Sequence, residues 1–249
     1  MIKKLIEPNL INITIMQLLL PVFLYIGIIS NVAWYWWVSS FVFYFLFTAI
    51  GNNVGMHRFY CHYNFKMTRS MEYFVLWCGA TAGLGSPMSY INTHLIHHKY
   101  NDTELDSHGP VRGWKSVLYY FHRHIRPSET VFSRTMCKLI VRFSWLHQYY
   151  WLILLAQGFI MYLIDWKIML FCWLIPASVT LWVVALVLVM QHDANGPSNT
   201  KSYQWFAFGE AWHRNHHINP ALVNHAIDPT KIDWTYHLCR LVAKKGSIE

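Results

Sequence analysis

Four groups of histidine stand out in this sequence of 249 residues. His57 and His62 form the first, His94, His97 and His98 the second, His192 stands alone, and His213, His216 and His217 form the last. Imidazole is a good ligand for zinc, copper, iron and nickel. The spacing shows how these could act together. Residues three and four apart share a helix face, so His94 lies beside both His97 and His98. His97 and His98 diverge by about 100°, one residue's rotation. One HxxHH turn can therefore offer nitrogens to two neighbouring metals, and two such turns face to face would make a dinuclear cage. His57 and His62 would diverge by about 140° on a continuous α-helix. The helix is expected to end between them, with His62 reaching back from a loop. Nine imidazoles around two roughly octahedral metals leave about three positions open, which suits a catalyst better than a store.

A single histidine at a helix end is more often an interfacial or hydrogen-bonding residue than a ligand, and His192 taken alone would be read that way. His108, His122, His124, His147 and His237 are read as surface or structural, and His225 as a support for a ligand or nothing. Zinc fits the set poorly, because structural zinc takes four ligands and catalytic zinc usually three. A carboxylate-bridged site built from paired Glu-x-x-His motifs has one instance here, Glu210 to His213, which overlaps the last cluster. Glu210 is better placed to orient an imidazole through its other N–H. Asp102, Asp106, His225, Gln191 and Asn195 are further candidates for supporting the ligands.

The elements that carry these groups are apolar. Hydrophobic residues make up 55% of the chain and charged residues 13%, against about 25% charged in an ordinary globular protein. No Asp, Glu, Lys, Arg or His occurs between Pro8 and Met56, which is too long for one crossing at about 20 residues each. With a turn at Ser30 and Asn31, this gives two helices at 10–29 and 33–54. A second pair is expected at 149–165 and 168–190, hinged at Asp165-Trp166-Lys167. Met1 to Lys4 followed by an apolar run reads as an uncleaved anchor rather than a signal peptide. The fold class is thus all-α integral membrane, with four transmembrane helices in one domain over 1–249. Stretches 57–148 and 191–249 form a histidine-rich cap. All the Lys and Arg residues except Lys167 fall on the side of that cap, which the positive-inside tendency assigns to the cytoplasm.

The segment 73–93 is uncharged and long enough to cross, but Gly79, Gly83, Gly85 and Pro87 make it a poor continuous helix. A crossing would also separate the histidines on its two sides. It is therefore expected to be interfacial or re-entrant. The formal charge of +8 on so apolar a chain fits anionic lipid rather than nucleic acid. Five scattered cysteines without a CxxC pair argue against a disulfide framework. A transport protein would carry ionisable residues inside its helices, whereas intramembrane charge is absent here and polar residues beyond Ser, Thr and Tyr, such as Asn12, Gln17 and Gln157, are few. A non-catalytic metal-binding membrane protein is thereby disfavoured.

These residues resemble the membrane fatty acid desaturases. Gly55 through His62 is similar to that family's first histidine box, His94 through Pro110, with Asp102 and Asp106, to its second, and Gly209 through His217 to its third. The HxxxxH spacing of the first box favours desaturases over relatives that use HxxxH. The resemblance covers most of the chain. It implies two iron ions held by His57, His62, His94, His97, His98, His192, His213, His216 and His217, O2 as co-substrate, and formation of a double bond in a fatty acyl substrate. The acyl carrier is open between acyl-CoA, acyl-lipid and acyl-carrier protein. An external electron donor such as ferredoxin or cytochrome b5 is implied, and a fatty acyl or lipid hydroxylase on the same scaffold is the alternative. Three positions depart from the pattern. Leu188 stands where the acyl-CoA type carries an Asn, so that a water, Gln191 or Asn195 would have to substitute. Leu95 stands for an Arg and Arg214 for an Asn. Phe41, Tyr44, Phe45 and Phe47 are candidate walls of the acyl tunnel or simply packing residues. Arg58, Lys66, Lys99 and Arg112 either bind an anionic head group or only mark the cytoplasmic side.

Overall fold

Backbone N–H and C=O groups in an apolar run that water does not reach must be satisfied within the run, and helices result. The computed structural model describes residues 9–110, 112–124, 127–132, 134–193, 195–200, 205–228 and 230–248, so the anchor reading of Met1 to Lys4 lies outside the described residues. Helix α1 spans Leu10–Ile29 and α2 Trp34–Cys61. They are followed by α3 (Arg69–Thr81), α4 (Pro87–Tyr100), α5 (Arg134–Gln148) and α6 (Tyr150–Ile164). Helix α7 covers Trp166–Met190, and α8 (His213–Ile218) and α9 (Trp234–Val242) complete the set. The only sheet among the described residues is a hairpin of β1 (His192–Asp193) and β2 (Gly196–Pro197), registered His192 to Pro197.

Three of these helices, α1, α2 and α7, are long and apolar enough to cross a membrane. Helix α6 is apolar but has 15 residues, fewer than the about 20 of a straight crossing. The expected breaks are where the sequence put them. Asn31 takes a left-handed φ of 46° between α1 and α2, and the Asp165 carboxylate caps α7 by accepting the Lys167 N–H. Helix α7 is the inner one, with 67% of its window buried against 28% for α1. Polar side chains tie the helices together where apolar surface cannot discriminate between lipid and protein. The Thr48 and Thr180 hydroxyls lie 2.9 Å apart, and the Ser40 and Ser178 hydroxyls donate to the carbonyls of Phe171 and Met16. Gln17 is fully buried but satisfied at both ends of its amide, by the Val117 carbonyl and the Tyr119 N–H. It is a structural tie.

Segment 73–93 is two helices joined by a tight turn in which Gly83 and Gly85 have φ of 82° and 95°. Helix α3 runs along the second half of α2, and α4 returns to the histidines, so the segment goes out and comes back. The approach is close. A Cβ on Gly51 would sit 2.6 Å from both the Cys78 carbonyl carbon and the Gly79 nitrogen. Because those are backbone atoms, Gly51→Ala must push the helices apart. It is expected to destabilise the protein by about 1–3 kcal/mol, read as a lower melting temperature in detergent.

Helix α2 extends beyond 54 and changes its hydrogen bonding. It is α-helical over Trp34–Phe45 and π-helical over Leu46–Cys61, a stretch buried from Phe47 onward. It ends one residue before His62, whose N–H bonds the His57 carbonyl at 3.3 Å. In a π-helix the i to i+5 bond sets residues five apart over one another. The helix thus ends between the two histidines, as expected, and His62 follows directly as its C-cap rather than from further along a loop, its ring centre 5.2 Å from that of His57.

Candidate metal centre

Four elements deliver the histidines: the π-helical end of α2, the last turns of α4, β1 directly after α7, and the short α8. Their nitrogens sort into two clusters. His57, His62, His94, His98 and His216 form one; His97, His192, His213 and His217 form the other. Each HxxHH turn is split between them. Helix α4 gives His94 and His98 to the first cluster and His97 to the second, while α8 gives His216 to the first and His213 and His217 to the second. The clusters abut, with the His98 and His217 rings stacked at 4.4 Å.

Within the first cluster the Nε2 atoms of His57 and His216 are 2.9 Å apart, those of His62 and His94 2.9 Å, and His98 lies 3.0 Å from His94 and 2.8 Å from His216. In the second, His213 Nε2 lies 3.0 Å from His192 and 3.1 Å from His217. At metal–nitrogen bonds of about 2.1 Å, adjacent ligands are about 3.0 Å apart on an octahedron and about 3.4 Å on a tetrahedron. The octahedral edge matches, and five nitrogens exceed a tetrahedron in any case.

Three of the rings have a carboxylate on their outward side. His97 Nδ1–H donates to Asp106 at 2.8 Å and His192 Nδ1–H to Asp102 at 2.8 Å, while His57 Nδ1 faces Glu210 at 3.4 Å. With the ring protons of His97 and His192 committed outward, their inward Nε2 is a bare lone pair. Lone pairs turned on one another repel unless a cation lies between them. Consistently, His97 Nε2 is buried and finds no hydrogen-bond partner among the described residues. Burial, then the neighbouring imidazoles, hold His62, His94, His213, His216 and His217 well below the ordinary histidine range, and His98 is pushed down to about 3. These rings are neutral at physiological pH, the form that binds a metal. The residues present fit a pair of metal ions.

The carboxylates stand behind the ligands. Asp106, fully buried, accepts His97 and also the backbone N–H groups of Asp102, His108 and Gly109 at 2.8–3.0 Å. It thereby fixes the loop from which Asp102 reaches His192. Burial alone would raise the Glu210 carboxyl, but His57 and Arg58 hold it below its usual range. His225 is buried, its ring 4.6 Å from that of His216. Gln191 donates its amide to the Glu210 carbonyl and so braces that residue, while Asn195 is exposed and its N–H bonds Asp193. Removing one of these outer partners generally costs 10–100-fold. Asp106→Asn is expected to lower metal retention and activity by about that much; dialysis against chelator checks the first, product yield the second.

A cavity of about 530 Å³ opens onto both clusters. His57, His94, His97, His108, Glu210 and His213 line it together with Val183, Val184, Val187 and Leu188 of α7, Thr48, Asn52 and Asn53 of α2, Tyr90 and Ala207.

No family model matches the chain. The curated relatives are informative. The chain is similar to the sn-1 stearoyl-lipid 9-desaturase of Anabaena variabilis, 28% identical over 234 residues, 87% of this chain and 84% of that protein. It is also similar to the Delta-9 acyl-lipid desaturase 1 of Arabidopsis thaliana, 25% identical over 217 residues (78% and 68%). A third relative is the acyl-CoA C20 Delta5-desaturase of Anemone leveillei, 26% identical over 240 residues (87% and 74%). Each of these relatives, matched over most of this chain, is named a fatty acyl desaturase.

Several residues of the chain sit otherwise than the sequence suggested. The four aromatics of α2 do not line the cavity. Phe41 is 62% exposed on the outer surface, the Tyr44 hydroxyl donates to the Phe206 carbonyl, Phe45 packs on Phe208 and Phe47 on Phe43. Polar residues one and two turns on, Thr48, Asn52 and Asn53, take that place. The Asn52 carbonyl oxygen is buried without a partner among the described residues. Arg58 cannot meet a head group, because it is fully buried and paired with Asp233 at 2.9 Å. Lys66, Lys99 and Arg112 are exposed. Of the histidines set aside as surface or structural, His147 accepts the Met88 N–H at the start of α4 and His122 bonds the Ser116 carbonyl. Both are buried supports. Nothing in the sequence marks Asn52 or the Arg58 pairing, since each depends on a distant segment.

Proposed function

We propose that this enzyme is an oxygen-dependent fatty acyl desaturase whose two histidine clusters hold two iron ions. The observation that carries the reading is the division of two HxxHH turns between two adjacent nitrogen clusters that share one apolar-walled cavity. Imidazole-rich octahedral sites with open positions suit iron oxygen chemistry, and the gathering of nine imidazole nitrogens argues against a lone zinc. The irons, when bound, supply activation of O2 and removal of one hydrogen from each of two adjacent methylenes.

The chain supplies placement and exclusion of water. Val183, Val184, Val187 and Leu188 offer an acyl chain a dry wall, and histidines of both clusters in the same cavity set one carbon pair against the metals. Leu188, standing where an Asn is usual, leaves that wall apolar. Asp102, Asp106 and Glu210 hold the rings in one tautomer and offset the positive charge from behind. The relatives named for acyl-lipid and acyl-CoA substrates support a fatty acyl substrate of one of these kinds, with electrons from an external donor. The basic residues gathered on one side support four crossings, α1, α2, α6 and α7, with the histidines facing the cytoplasm.

Expression in a host that makes no unsaturated fatty acids tests this. New monounsaturated acyl chains, located by mass spectrometry, are expected in its lipids. Hydroxy fatty acids instead would reassign the enzyme as a hydroxylase, and an unchanged profile with iron-loaded protein in the membrane would refute the reading.

A further inference from the structure

We propose a second lipid site, for one anionic phospholipid, formed by α3, α5 and α6 and sharing no lining residue with the cavity over the histidines. Its polar part is a cavity of about 780 Å³ walled by Phe59, Tyr60, Tyr63 and Met67. Arg69, Lys138, Arg142 and Lys244 line it, against a single carboxylate, Glu72. Glu72 lies 4.0 Å from Arg142, and Lys138 sits 5.5 Å from the centre of the Tyr63 ring. That leaves an excess of cations facing an open space, which an anionic phosphate complements.

The apolar part is a groove of about 770 Å³ along α3, α5 and α6, lined by Leu76, Trp77, Leu146, Tyr150, Ile153 and Leu154 among others. The two spaces meet. Tyr73 and Phe143 line both, their rings edge to face at 5.8 Å. At the same point α5 departs from helical geometry, with Phe143 at φ −136° and ψ 31°. The kink turns the basic end of α5, Lys138 and Arg142, away from the apolar run of Trp145 and Leu146. Along one stretch of chain the lining therefore passes from cationic through aromatic to aliphatic. That is the order of a phospholipid read from phosphate to acyl tail, and aromatic rings belong at its boundary. A free phosphate would use the first part alone and leave the groove without a purpose.

The test is native mass spectrometry of the metal-loaded, detergent-purified full chain with added lipid. One phosphatidylglycerol per chain is expected to survive, with retention of phosphatidylcholine, whose head is neutral overall, at least about tenfold lower. The double variant K138E/R142E, at exposed positions, should lose retention at least about tenfold. I153W, filling the groove, should also lose the lipid while inorganic phosphate still raises the melting temperature. Parent-like iron content and circular dichroism certify that both variants are folded. Equal retention of the two lipids, parent-like retention in K138E/R142E, or a melting shift with inorganic phosphate that phosphatidylglycerol does not exceed would each overturn the proposal. Because product formation is not read, failure here leaves the desaturase reading untouched.

Discussion

Replacing His97 with Ala is expected to abolish product formation and to remove metal from one site before the other. On the proposed reading His97 belongs to the cluster of four nitrogens, so its loss leaves three. His62 belongs to the cluster of five and lies at its more exposed edge, so His62→Ala leaves four. The loss of a ligand exceeds the 10–100-fold effect of losing a ligand's support. Activity should therefore fall by at least about 100-fold in His97→Ala, with iron per chain dropping from two towards one. His62→Ala should keep more metal at equal chelator. Elemental analysis together with product yield checks both. Retained product in His97→Ala would remove that residue from the site. Equal metal loss in the two variants would contradict the assignment of nitrogens to clusters.

The histidine pattern was legible because HxxHH has a geometry of its own. On any α-helix the outer histidines share a face and the adjacent pair divides, and α4 and α8 do this. HxxxxH was legible as a pair but not as a shape, because the 140° divergence holds for 3.6 residues per turn and the end of α2 is π-helical. The switch has no local signature. The π-helical stretch lies buried against α3, where Gly51 and Gly79 permit backbone contact. The apolar runs gave the long helices within a few residues, since length and polarity alone decide them, but α2 outruns its uncharged stretch because His57 and Arg58 are buried with it. The lining of the cavity was misplaced for a related reason. Aromatic residues on α2 signal an apolar face without saying whether lipid or protein covers it, and Phe41 turned out to face outward.

Arg58 shows what the linear pattern hides most completely, and its removal is the second large effect expected. Beside His57, it reads as one more cytoplasmic cation. In the fold its side chain is fully enclosed, pairs with Asp233 at 2.9 Å, donates to the Val223 carbonyl and lies 3.9 Å from Glu210. Asp233 in turn accepts the N–H groups of His225 and Tyr236, the latter as the cap of α9. One guanidinium thus fastens the ligand-bearing end of α2 to the segment after α8, which presses His225 on His216. Arg58→Met keeps the length but leaves Asp233 as a buried charge without its cation, at a cost of about 3–5 kcal/mol. The protein is expected to melt well below the parent, and His57 and His216 to lose their mutual alignment, so that activity falls even in the fraction that remains folded. Neutralising the stranded carboxylate in the double variant R58M/D233N should recover part of the stability but not the activity, because the uncharged pair no longer holds Glu210 from behind. Thermal unfolding in detergent and product yield per folded chain separate the two effects. A single variant within about 0.5 kcal/mol of the parent, the range of an ordinary surface substitution, would show that the ion pair does not hold the segment in place.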